Sequence, residues 1–241
     1  MSTTLDSVMD VRIHQQKDGY RFSMDAVFLA TFVNMKVIKH MADFGAGSGI
    51  VGLLLARRYP ESRVTLIEIQ KGLHELCVEN VIENELQGKV ETLCADLRDL
   101  GKLGDDLKGL DLVVSNPPFR KPLSGRISSG DEKAIARHEL KLSLPELLGS
   151  AAHSLRARGR FCTVYLPDRL ADLIFECRNA GLEPKRMRFV HARQGAEARI
   201  VLLEAVKGGK TSLKVEPPLF VYKGKGQDYT PEVQKMYREG A

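Results

Sequence analysis

Cysteine is scarce in this chain of 241 residues, and its four copies stand apart. Cys77, Cys94, Cys162 and Cys177 form no CxxC pair, and three of them sit in apolar segments. That pattern excludes a disulfide framework and reads as reduced core thiols of a cytoplasmic protein. The six histidines make no HxxxH and join no cysteine cluster, so no structural metal is expected. No apolar run approaches the roughly eighteen residues of a membrane span. The opening Met1-Ser2-Thr3-Thr4-Leu5-Asp6 lacks a basic segment followed by an apolar one, and no signal peptide is expected from it.

Acidic residues are short in the second half. Residues 111–241 carry 23 Lys+Arg against 15 Asp+Glu, whereas residues 1–110 carry 13 against 16. Such a half suits a polyanionic partner such as nucleic acid, or is simply a basic solvated surface. An apolar content of 43% with 28% charged residues is that of a soluble globular protein. The length allows one large α/β domain or two small ones, and no internal repeat or interdomain linker is visible.

What is present begins with Leu110 to Ser115, a β-branched apolar run that reads as a buried parallel strand. It ends in Asn116-Pro117-Pro118-Phe119. Open α/β sheets bind ligands at the carboxyl edge, where such a strand would place these four residues. Two prolines remove two backbone donors, leaving the carbonyl between them able to accept a hydrogen bond. Asn116 adds a side-chain acceptor and Phe119 a flat face for stacking. Together they suit a planar substrate bearing an NH2 group; the plain alternative is a proline turn after a strand.

Upstream, residues 10–20 read as polar and irregular. Ser23 is a plausible N-cap for a helix with Asp25 in its first turn, and Tyr20 and Phe22 would staple that helix or cover a ligand. Met41 to Phe44 is a short strand followed by Gly45-Ala46-Gly47-Ser48-Gly49 and a buried helix from Ile50 to Arg58. Strand, glycine loop and helix open a doubly wound nucleotide-binding sheet. Read from Gly45, the dinucleotide pattern GxGxxG fails, because Ile50 stands at its third glycine. The pattern is Asp43-x-Gly45-x-Gly47-x-Gly49, and a carboxylate at Asp43 suits a cation better than a pyrophosphate. The sulfonium and amino group of S-adenosylmethionine fit.

The next strand, Arg63 to Glu68, ends in an acid placed to bind a ribose. The one after ends near Asp96 and Leu97. Asp96 would bond an adenine amino group with Leu97 packing on the ring, or would cap the following turn. After the Asn-Pro-Pro-Phe stretch comes a long Gly/Ser-rich basic loop, where Arg120, Lys121, Arg126, Lys133 and Arg137 could grip phosphates. Helices from Ser143 and from Pro167, strands from Gly159, Arg186 and Arg199, and a short helix from Pro231 complete the pattern.

These motifs resemble the class I S-adenosylmethionine-dependent methyltransferases, and among them the bacterial valine-tRNA (adenine-N6)-methyltransferase family. The similar stretches are Gly19 to Val27, Asp43 to Gly49, Asn116 to Phe119, Ala136-Arg137-His138-Glu139 and the Lys207-Gly208-Gly209 turn. Phe119 replaces the tyrosine usual in adenine-N6 members and is shared with rRNA guanine-N2 methyltransferases. The resemblance implies a Rossmann-like, doubly wound, mostly parallel α/β sheet of seven strands with the last antiparallel. It implies a single methyltransferase domain over 1–241, with a lid and helix in 1–39, a core in 40–206 and a basic extension in 207–241. It also implies S-adenosylmethionine held by Phe22, Ser23, Asp43, Gly45, Gly47, Gly49, Glu68, Asp96, Leu97 and Asn116. The implied reaction is direct methylation of an adenine in tRNA at Asn116, Pro117, Pro118 and Phe119, without a metal or a membrane. Glutamine methylation in proteins uses the same Asn-Pro-Pro motif and ranks lower, because only 42 residues precede Asp43 and the second half is basic.

Overall fold

The computed structural model describes residues 3–17, 23–102, 107–117 and 142–238. Its centre is a sheet whose strands are largely buried. Strands β3 (His40–Phe44), β4 (Arg63–Glu68), β5 (Val90–Cys94), β6 (Leu110–Ser115) and β7 (Leu155–Tyr165) run parallel. Strand β9 (Ala198–Lys207) lies between β7 and β8 (Leu182–His191), antiparallel to both. The order β5-β4-β3-β6-β7-β9-β8 is the expected seven-stranded sheet with its last strand reversed. Two-residue strands β10 (Lys214–Val215) and β11 (Leu219–Phe220) extend it beside β8.

Side chains alternate across a strand, so each strand feeds two cores. Met41, Val64, Leu66, Leu112 and Val114 meet the layer of α1 (Met24–Phe32), α2 (Ile50–Arg58) and α3 (Lys71–Glu83). Ala42, Phe44, Ile67, Val113 and Phe161 meet α4 (Leu144–Ser154), α5 (Leu170–Asn179) and the 3-10 turn Leu97–Lys102. Helix starts follow local chemistry. Ser143 makes a reciprocal capping box with Glu146, and Ser23 caps α1 through Asp25. The chain runs from β3 outward to β5, then returns to the other side of β3 as β6. That reversal opens a crevice at the carboxyl ends of β3 and β6.

The amino-terminal region departs from expectation. Residues 10–20 read as irregular, yet Val11–Gln16 is strand β2, paired with β1 (Thr3–Val8) in a separate hairpin. Val11, Ile13 and Gln15 point inward, and α3 holds the backbone between them. Asn84 Nδ2 donates to the Arg12 carbonyl (2.6 Å) and its Oδ1 accepts from the Arg12 N–H (2.9 Å). Asn80, one turn earlier, does the same with His14 at 3.1 and 2.6 Å. Two buried amides thus replace a neighbouring strand. Asn84→Ala leaves an N–H and a carbonyl without these partners, at a cost of about 1–3 kcal/mol. Urea unfolding should show that loss; a change below about 0.5 kcal/mol, typical of a bland surface site, would contradict it.

Candidate active site

The glycine loop turns on backbone conformations that only glycine takes readily. Gly45, Gly47 and Gly49 have φ of 72°, 61° and 90°. The amides of Gly45 and Ala46 both donate to the Ile67 carbonyl at 2.9 Å, tying the loop to the end of β4. Gly49 is the N-cap of α2. A Cβ on Gly45 would meet nothing within 4 Å, whereas one on Gly52 would lie 2.2 Å from Leu66 Cδ2. Gly52 therefore lets α2 pack closely on the sheet. It went unnoticed in sequence although Gly47-x-Gly49-x-x-Gly52 is the GxGxxG pattern two residues further on.

Two buried carboxylates fasten this loop and the first turn of α2 behind it. Glu68 Oε2 accepts from the Gly47 N–H (2.9 Å) and Oε1 from the Gln70 N–H (2.8 Å). Asp43 Oδ2 accepts from the Gly52 N–H (3.0 Å). Burial pushes the Asp43 pKa up to about 7; the Gly52 hydrogen bond opposes this and the Glu68 charge adds to it. An unfolded aspartate ionises near pH 4. Between about pH 4 and 7 the folded chain therefore keeps a proton that the unfolded chain has lost, and stability falls as pH rises through that window. Asp43→Asn should flatten this slope, seen in urea midpoints at about pH 4.5 and about pH 7.5. A variant with the slope of the parent would refute the assignment.

The crevice is a cavity of about 790 Å³. Gly45, Gly47 and Glu68 form one wall, Asp96 and Leu97 a second, and Asn116 and Pro117 a third. Ser115, just before Asn116, donates its buried hydroxyl to the Phe44 carbonyl (2.7 Å), locking the ends of β6 and β3 together. Asp96 Oδ1 accepts from the Arg98 N–H (2.9 Å), so the residue caps its turn and also faces the cavity. Glu68, Asp96, Asp172 and Glu176 against Arg169 make the wall acidic, which favours a cationic ligand.

Of the residues singled out in sequence, Asp43, Gly49 and Ser23 do not line this cavity. Asp43 and Gly49 sit behind the loop, and the Ser23 hydroxyl donates to Asp25 Oδ2 (2.9 Å) at the start of α1. Phe22, Pro118, Phe119, Arg120, Lys121, Arg126, Lys133 and Arg137 lie outside the described residues. Sequence reasoning missed Gln16, Gln70, Leu144 and Tyr165, which also line the cavity. Tyr165 could have been found as the end of the strand beside β6. Gln16 had no such signal. Among the described residues, no cluster of His, Cys, Asp and Glu could hold a metal, and no helix is long and apolar enough to cross a membrane.

The sequence model of the methyltransferase small domain family matches residues 22–166, which is more than half of the chain and includes both the glycine loop and Asn116-Pro117. The chain belongs to this family. It is a methyltransferase, and the expected cofactor, S-adenosylmethionine, goes with that class. A Porphyromonas gingivalis protein named tRNA1(Val) (adenine(37)-N6)-methyltransferase is 29% identical over 211 residues, 85% of this chain and 81% of that one. A Flavobacteriaceae protein of the same name is 28% identical over 152 residues, 63% of this chain and 62% of the relative's length. Among solved structures, a protein from Agrobacterium tumefaciens described as a predicted O-methyltransferase superposes with a TM-score of 0.71. At 23% identity, over 89% of this methyltransferase and 95% of that chain, it shares the fold.

Proposed function

We propose that this methyltransferase transfers a methyl group from S-adenosylmethionine to the exocyclic N6 amine of an adenine in tRNA. The observation that carries the reading is the placement of Asn116 and Pro117 at the end of β6, on the same cavity as Glu68 and the glycine loop. The cavity suits the cofactor: the loop is open at Gly45, a buried carboxylate stands at the end of β4, and the wall is acidic. Glu68 would bind the ribose hydroxyls, Asp96 and Leu97 the adenine, and Gly45 and Gly47 would admit the cofactor close to the backbone. Asp43 would act through Gly52, by fixing α2 behind the loop.

An exocyclic amine is a poor nucleophile because its lone pair is delocalised into the ring. The Asn116 Oδ1 and the Pro117 carbonyl would accept its two N–H bonds and favour a pyramidal nitrogen. S-adenosylmethionine supplies an electrophilic methyl on a sulfonium; as nitrogen bonds to that carbon, the pair of the broken carbon–sulfur bond stays on sulfur. The surplus proton on the methylated nitrogen is lost to water. Positioning does most of the work, and no covalent enzyme intermediate is required. The target base must leave its stack to reach Asn116, with Phe119 offering it a face.

The names of the relatives support tRNA as the substrate, as does the basic second half of the chain. Phe119 in place of tyrosine is the one feature that favours guanine N2 instead. Incubation with methyl-labelled cofactor and separate pools of unmodified tRNA, rRNA and protein decides the substrate class. Label in tRNA alone is expected. Label confined to rRNA or to protein glutamine would overturn the reading.

A further inference from the structure

A second cleft, of about 540 Å³, lies at the β8 and β11 edge of the sheet, several strands away from the glycine loop. Its walls come from two turns. One is residues 192–197, joining β8 to β9, with Gly195 at φ 80°. The other follows β11 and is closed by the bridge between Tyr222 and Tyr229, with Gly224 at φ 48°. The Arg193 guanidinium donates to the Lys225 carbonyl (3.3 Å) and so joins the two turns. Arg193, Lys223 and Lys225 line the cleft, and no carboxylate does. The nearest acids in sequence, Glu197 and Asp228, are exposed but outside the lining. Among the described residues, Lys223 and Lys225 form no ion pair, and both are exposed. Phe220 and Tyr222 complete the wall. Each is half-buried and steadied by another ring, Phe220 by His191 at 5.5 Å and Tyr222 by Tyr229 at 5.6 Å.

Register places this cleft on the same rim as Asn116. Tyr165 at the end of β7 pairs with Val201 near the start of β9. His191 at the end of β8 pairs with Ala198 on one side and Phe220 on the other. The carboxyl ends of β6, β7 and β8, the start of β9 and the end of β11 therefore share one edge. From β6 to β11 there are four strand steps of about 4.8 Å, or about 19 Å. A stacked strand rises about 3.4 Å per nucleotide, so the interval corresponds to about five to six nucleotides.

We infer that this cleft is a second RNA subsite, which takes the single-stranded backbone flanking the target base. Arg193, Lys223 and Lys225 contact phosphates, and the Phe220 and Tyr222 rings offer a face to one flanking base. Three cations with adjacent aromatic faces are what a single strand needs, and the distance to Asn116 lets one strand reach both places. The inference rests on the RNA reading of the active site.

The test is the double variant Lys223→Gln/Lys225→Gln, with Lys223→Glu/Lys225→Glu as the stronger form. RNA binding and methyl transfer are measured across a salt series, with cofactor affinity and melting temperature measured in parallel. Removing two phosphate contacts should make the slope of log affinity against log salt shallower by about 1.4, at about 0.7 per contact on a single strand. The RNA KM should rise about tenfold, with kcat at saturating RNA, cofactor affinity and melting temperature unchanged. A parent enzyme that methylates RNA while the variants keep its KM and salt slope would overturn the subsite and leave the active-site reading intact. Variants that lose binding to anionic vesicles but keep the RNA KM would assign the cleft to a lipid surface and overturn it too. A parent enzyme that neither binds nor methylates RNA would overturn both readings at once.

Discussion

Asn116→Ala is expected to lower methyl transfer on the order of 10²–10³-fold while leaving cofactor affinity within about threefold of the parent value. The side chain lines the cavity at the end of β6 and is half-buried, so its loss opens little of the core. Ser115 still holds β6 to the Phe44 carbonyl, and the glycine loop is anchored through Ile67, Glu68 and Asp43, not through Asn116. The deficit should appear in kcat at saturating cofactor and RNA, because in the proposed mechanism the amide acts as the nitrogen attacks. Single-turnover rates with cofactor binding by calorimetry separate the two effects. Turnover within tenfold of the parent would show that the reacting amine sits elsewhere.

Glu68→Gln should act on the cofactor instead. The carboxylate accepts two backbone N–H bonds, from Gly47 and Gln70. A glutamine of the same size has one acceptor oxygen and a donor NH2, so it can satisfy only one of them. The change also removes the charged acceptor proposed for the ribose hydroxyls, and a hydrogen bond to a charged group contributes about 1.5–3 kcal/mol. Cofactor affinity should therefore fall by about tenfold to a hundredfold, with kcat at saturating cofactor much less affected. Calorimetric titration measures this. Unchanged affinity would mean that Glu68 only braces the loop.

What could be read in the sequence was local. Asn116-Pro117 after an apolar run, and a glycine loop between Phe44 and Ile50, carry their geometry in adjacent residues. Strand β6, helix α2 and the N-caps Ser23 and Ser143 fall where those patterns put them. The hairpin did not, because β2 has β1 along one edge only and is held along the other by amides of Asn80 and Asn84 more than sixty residues away. Only two apolar residues, Val11 and Ile13, mark its period-two pattern. Asp43 shows a second limit. Its place before the glycines suggested contact with a cationic ligand, yet its oxygen is turned to the Gly52 N–H behind the loop. Which way a strand-end side chain points depends on how closely the next helix packs, and that depends on Gly52 and Leu66. The cleft around Arg193 and Lys225 shows a third, since β8 and the carboxyl-terminal turn meet only once the sheet is assembled.

The most direct measurement is the identity of the methylated atom. Unmodified tRNA is treated with the purified enzyme and S-adenosylmethionine, digested to nucleosides, and resolved by liquid chromatography with mass spectrometry. Methylation at N6 of adenosine is the result expected from an exocyclic amine held by Asn116 and the Pro117 carbonyl. A methyl group on a ring nitrogen or on a ribose hydroxyl would contradict it, because neither presents two hydrogens to those acceptors.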